Sequence, residues 1–154
     1  VARRAYGVGM RVIAHDPHLL DGDFEVAFAD GQILKTSASM LSMNEVLRAA
    51  DVVTLHIGGN SELIDAKALA TMKKGAFLIN AARGGVVNEP ALIDALKSQH
   101  IKAAGLDVFV DEPKPSVQIL MNPHVSLTPH IGAATVEAQA RIGLELAEQI
   151  MAKS

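Results

Sequence analysis

Short, nearly continuous apolar runs alternate along this chain with longer amphipathic stretches, and few folds tolerate that alternation. Runs of this kind suit strands inside a sheet, and the stretches between them suit helices packed on it. Repeating the pair gives β-α units that feed a parallel sheet. The runs are Met10 to Ala14, Val52 to Ile57 with Thr54 and His56 as its polar members, Ala76 to Ile79, Ala103 to Asp107, and Val125 to Leu127. The run from Val52 reads as a strand buried on both faces.

The helices carry their own start and stop signals. Ser42-Met43-Asn44-Glu45 has the Ser-x-x-Glu spacing of a capping box, and Met43, Val46, Leu47 and Ala50 then form an apolar face. A second helix is expected from about Asp65 to Lys73, stopped by Gly75. A third runs from an Asn88 cap through Gln99, with Glu89 and Pro90 in its first turn. The last spans Thr135 to about Ala152, with Val136, Gln139, Ala140, Gly143, Leu144, Ala147 and Ile150 along one stripe. About six strands with such helices between them predict a doubly wound parallel α/β sheet.

Two regions fit this pattern less well. Val1 to Tyr6 reads as the last turns of a helix closed by Gly7 at its C-cap, and so short a helix nucleates poorly alone. The chain is therefore expected to begin inside an element. Residues 18 to 41 suggest two short strands, Phe24 to Phe28 and Gln32 to Lys35, around Asp30-Gly31.

Composition narrows the function classes. With 154 residues, 49% hydrophobic and 20% charged, the chain suits one globular domain with a sizeable core. A formal charge of -3 and the scarcity of basic clusters leave nucleic acid and membrane surfaces as unexpected partners. The absence of cysteine excludes disulfides and thiolate chemistry, and no apolar run is long enough to span a bilayer. A soluble, cytoplasmic protein is the expectation. No His, Asp or Glu spacing marks a metal site.

Ligands of doubly wound sheets bind beyond the carboxyl ends of the strands. Asp16, His56, Asn80 to Arg83, Asp107 and His130 all fall at or just past such ends. Any one of them reads equally well as a helix cap or a turn residue, but five strand ends in succession are harder to dismiss. Asp16 ends the first run, where an acid can accept hydrogen bonds from an adenosine ribose and repel a 2′-phosphate, so NAD is expected rather than NADP. It also reads as a turn aspartate before Pro17. Gly7-Val8-Gly9 is no dinucleotide fingerprint, because Val12 stands in the place of the third glycine and a strand follows.

Arg83 precedes two glycines that let backbone approach a ligand while the guanidinium forks onto a carboxylate, although a surface arginine beside a turn has the same sequence. Glu112 could be an exposed loop acid. His130 is the best acid-base candidate, since imidazole titrates near neutrality, and His15, His18, His100 and His124 lack a comparable setting.

Three segments then sharpen the reading: Asn80-Ala81-Ala82-Arg83-Gly84-Gly85, Asp107-Val108-Phe109-Val110-Asp111-Glu112-Pro113 and Thr128-Pro129-His130-Ile131-Gly132-Ala133. In this order and spacing the chain resembles the nucleotide-binding domain of the D-isomer-specific 2-hydroxyacid dehydrogenases, a Rossmann-like fold. The resemblance implies catalytic roles for Arg83, Glu112 and His130. It also implies NAD contacts at Asp16, Thr54, His56, Ala81, Arg83, Asp107, His130, Gly132 and Ala133, with Asp107 facing the nicotinamide carboxamide. A small 2-hydroxy or 2-keto acid is the implied substrate, and a homo-oligomer the implied assembly.

Against the family pattern, the first strand and its glycine-rich turn are lacking, the substrate domain is not represented, residues 18 to 41 look long, and Gly58-Gly59 replaces an expected proline-containing loop. Loss of a central strand exposes two strand edges. It predicts either pairing with another chain or a rearranged order with Met10 to Ala14 beside Val52 to His56. The competing expectation is an NAD(H)-responsive, co-repressor-like binding module without turnover.

Overall fold

The structure, a computed structural model, describes residues 1–59, 61–132 and 134–152. The chain opens with α1 (Ala2–Gly7), β1 (Ile13–Ala14), the hairpin β2 (Asp23–Ala27) and β3 (Ile33–Ser37), and β4 (Ser39–Met40). Then come α2 (Met43–Ala49), β5 (Val52–Leu55), α3 (Ala66–Thr71), β6 (Ala76–Asn80) and a 3₁₀ turn at Gly84–Val86. After these follow α4 (Glu89–Lys97), β7 (Ile101–Leu106), the single-turn α5 (Val117–Leu120), β8 (Val125–Leu127) and α6 (Val136–Met151).

The expected parallel sheet is formed by β5, β6, β7 and β8 in that order, every neighbouring pair parallel. Its helices begin where their caps predict. Ser42 and Glu45 make both bonds of the capping box. Asp65 caps α3 through Ala68 N at 2.7 Å, and Asn88 caps α4 through Ala91 N at 2.9 Å. One core joins sheet and helices, built around Leu47 of α2, Leu69 of α3, Leu92 and Leu96 of α4, and Val53, Leu78 and Ile101 of the strands. Among the described residues no helix is long and apolar enough to cross a membrane.

Four expectations are corrected. Met10 to Ala14 forms a strand only at β1, because its partner β4 offers two residues, Ile13 pairing Ser39 and Ala14 pairing Met40. For the same reason the rearranged order does not form: β1 lies beside β4 and not beside β5. Gly7 belongs to the helix, whose C-cap is Val8, and the left-handed glycine is Gly9 at φ 83°.

The fourth correction concerns burial. Val53 and Leu55 of β5 are buried while Val52 is 39% exposed, and in β6 Leu78 is buried while Phe77 and Ile79 are 38% and 39% exposed. The strands alternate because α2, α3 and α4 contact one another in series around the single core, whereas α1 packs on β2 through an edge-on Tyr6–Phe24 pair. The sixteen-residue α6 buries none of its residues, so it covers neither face. The two short strands expected in residues 18 to 41 are present as the antiparallel β2–β3 hairpin.

Candidate active site

Three loops leave the carboxyl ends of β6, β7 and β8, and each is shaped by a polar side chain that bonds its own or a neighbouring loop. At the end of β6, Asn80 is buried; its Oδ1 accepts from Ala82 N at 3.1 Å and its Nδ2 donates to Arg83 O at 3.0 Å. That pair of bonds sets the turn carrying Ala81 and Arg83. Arg83 is exposed, and its Nη1 donates back to Ala82 O at 2.7 Å.

The next residue brings the first two loops together. A Cβ built on Gly84 would stand 1.8 Å from Phe109 O, so glycine is required there for contact with the loop after β7. Within that loop, Phe109 N donates to Glu112 Oε1 at 2.9 Å, and Val110 N donates to the buried Glu89 carboxylate on α4 at 2.9 Å. Glu112 is thereby aimed at the third loop.

There its Oε2 meets His130 Nδ1 at 2.7 Å. His130 has a left-handed backbone at φ 54°, a conformation that His adopts more readily than branched residues do. The segment around it is anchored by Asp107. Asp107 Oδ1 accepts from Thr128 Oγ1 at 2.5 Å and Ile131 N at 2.9 Å, and Oδ2 accepts from Gly132 N at 2.9 Å.

The electrostatics follow from these bonds. The His130 hydrogen bond, then the Phe109 amide, holds the Glu112 carboxyl below its ordinary range. Partial burial pushes Asp107 up, but the bonds from Thr128, Ile131 and Gly132 outweigh it and leave its pKa lowered. Both groups are therefore carboxylates at neutral pH. With Glu112 ionised, His130 donates from Nδ1, and its Nε2 lone pair is directed away from the pair, where it can take a proton.

A depressed folded-state pKa contributes stability above the unfolded value, and that contribution is lost as pH falls through the folded one. Both tethers of the His130 segment therefore loosen in acid. A carboxyl-carbon NMR titration should place Glu112 and Asp107 below ordinary carboxylates. In a His130→Gln chain Glu112 should titrate higher than in wild type, and an unmoved Glu112 would show that the pair is not formed in solution.

The structure unites some expected residues and separates others. Glu112 and His130 meet, and Asp107, Thr128 and Gly132 join them. Among the described residues Arg83 makes no hydrogen bond or ion pair to that pair. Asp16 accepts from His18 N at 2.8 Å, which is the turn role, and its other carboxylate oxygen makes no hydrogen bond among the described residues. Thr54 Oγ1 and His56 Nε2 lie 2.9 Å apart at the end of β5. Burial holds His56 below its usual value. Ala133 lies outside the described residues. The sequence marks Asn80 as a strand-end polar residue and the glycines after Arg83 as a place of close backbone approach, but gives Glu89 only a helix-start role.

A parallel sheet whose polar residues gather beyond its carboxyl ends defines a nucleotide-binding α/β domain. The comparisons are specific. Residues 1–132 match the model of the D-isomer specific 2-hydroxyacid dehydrogenase NAD binding domain, and the chain belongs to that family as an NAD-binding domain of Rossmann-like fold. It is 40% identical over 153 residues to D-3-phosphoglycerate dehydrogenase of Mycobacterium leprae, covering 97% of this chain and 27% of the relative. The chain thus spans about a quarter of that curated relative.

Two solved structures are similar over most of the chain. One is a crystal structure described as a D-isomer specific 2-hydroxyacid dehydrogenase, NAD-binding, from Polaromonas. It matches at TM-score 0.79 and 33% identity, over 98% of this chain and 46% of that one. The other is a glyoxylate reductase from Paecilomyes thermophila, at TM-score 0.78 and 37% identity, over 94% and 42%.

Proposed function

We propose that this chain supplies the NAD-binding half of a dehydrogenase that exchanges a hydride with a D-2-hydroxy acid, and that it carries the acid-base pair for that reaction. The observation that carries the reading is the 2.7 Å contact between Glu112 and His130 at the carboxyl end of the sheet.

The residues present suit a nicotinamide dinucleotide. Asp16 has a carboxylate oxygen that no described residue hydrogen-bonds, open to a ribose hydroxyl, and its charge disfavours a 2′-phosphate. Thr54, His56 and the exposed Ala81 stand at neighbouring strand ends, and Asp107 fixes the Gly132 backbone beside His130. When bound, NAD supplies the acceptor for hydride.

The chain's own residues handle the proton and the carboxylate. His130 Nε2 takes the proton of the substrate hydroxyl, and Glu112 stabilises the resulting imidazolium by charge and hydrogen bond. Arg83, released from Ala82 O, forks onto the substrate carboxylate. Asp107 holds His130 in place through Thr128 and Ile131, and the carboxylate also favours cofactor amide contact. The identity to a phosphoglycerate dehydrogenase supports 3-phosphoglycerate as the acid, while the likeness to a glyoxylate reductase supports the class more broadly.

Titration of the chain with NADH and NADPH, followed by nicotinamide fluorescence and amide shifts, tests the reading. NADH should bind weakly, more tightly than NADPH, and shift the amides of residues 107 to 112, 128 and 130 to 132. No shift with either dinucleotide would sink the proposal. The chain alone should turn over 3-phosphoglycerate little or not at all, and ordinary activity would refute the need for residues outside it.

A further inference from the structure

Only two polar side chains are buried among the described residues, and both serve the loops just described. Asn80 shapes the Arg83 turn. The other, Glu89, lies at the first helical position of α4, far along the chain from the residue it bonds. A carboxylate is rarely buried without a partner, since hydrogen bonds must replace the water it loses. The helix N-terminus makes the charge tolerable there, but the position does not by itself require Glu89 to face the loop after β7.

The side chain nevertheless accepts from Val110 N at 2.9 Å. Val110 is 51% exposed, so no packing of its own holds that amide. One residue earlier, Phe109 O presses against Gly84 and Phe109 N binds Glu112. The loop is thus gripped at consecutive residues. Glu89 stands three residues after Val86, which ends the 3₁₀ turn that follows Arg83.

We propose that Glu89 is a positioning residue: its buried carboxylate fixes the Val110 amide, locks the Glu112 loop against the Arg83 turn, and so sets the Glu112–His130 contact. The role rests on the function proposed above only in its catalytic meaning, because the positioning itself can be measured without cofactor or substrate.

Amide hydrogen exchange in the wild-type chain gives the first test. Val110 should exchange at least about tenfold more slowly than an open loop amide, as expected for a hydrogen bond to a charged group. An unprotected Val110 would overturn the proposal whether or not any variant folds. Glu89→Gln keeps an acceptor oxygen and should retain both that protection and the low titration of Glu112. Glu89→Ala should lose about tenfold of the protection and let Glu112 titrate nearer its ordinary range, with core amides unchanged. A folded Glu89→Ala chain in which Val110 and Glu112 behave as in wild type would also overturn it, and so would a Gln variant that behaves like Ala. Failure of NADH to bind the wild-type chain would defeat the functional reading and leave these outcomes intact.

Discussion

Replacing Gly84 by alanine should lower the stability of the chain by about 1–3 kcal/mol and abolish the Glu112–His130 contact. Overpacked positions that force backbone to move carry costs of that order. The added methyl would stand 1.8 Å from Phe109 O and 2.2 Å from Phe109 C, and neither atom can swing aside as a side-chain tip would. Relief requires moving the loop after β7 or the turn after β6. Either movement opens the approach between Gly84 and Phe109 and shifts Glu112 with it, since Phe109 N is bonded to Glu112 Oε1. For a chain of this length each kcal/mol corresponds to roughly 2–4 °C in Tm. Thermal melting and the Glu112 titration should therefore change together, and a Gly84→Ala chain with wild-type melting would contradict the observed approach.

The second large effect concerns His130. Grafted in place of the matching segment of the M. leprae phosphoglycerate dehydrogenase, the wild-type chain should support turnover. His130→Ala in the same graft should lower kcat by roughly 10²–10⁴-fold, the usual range for a positioned acid-base group. The loss should fall on kcat with dinucleotide affinity nearly kept, because Asp107 still anchors Ile131 and Gly132 through backbone amides. Unchanged kcat in a graft that is active with His130 would remove the residue from the chemistry. A graft that binds dinucleotide but shows no turnover even with His130 in place would favour the alternative of a binding module.

How far the sequence discloses this site depends on the distance over which each contact acts. Caps and strands are local, and the readings at Ser42, Asp65, Asn88 and β6 to β8 agree with the structure. The Glu112–His130 pair is legible because its flanking residues form specific segments. Glu89 to Val110 and Gly84 to Phe109 join residues whose separation carries no periodic signal, so only the folded chain shows them. The expected burial on both faces of β5 fails for a related reason: an apolar run records what a strand can bury, and cannot record whether α6 comes to cover it. The segment around Asp107 points to a cofactor contact but carries no sign of its hold on Thr128, Ile131 and Gly132.

Strand pairing has a further consequence for any long ligand. Asp16 follows β1, which among the described residues pairs only with β4, whereas Asp107 and His130 follow strands of the four-stranded sheet, and no ladder among those residues joins the two sheets. A molecule reaching from Asp16 to His130 would act as a strut between them. Ile13 of β1 already packs against the core of the larger sheet, so such a strut would add a second connection at the carboxyl ends to one made by side chains. Ligand length, beyond the strength of either end group, would then decide how firmly the two halves are held as one.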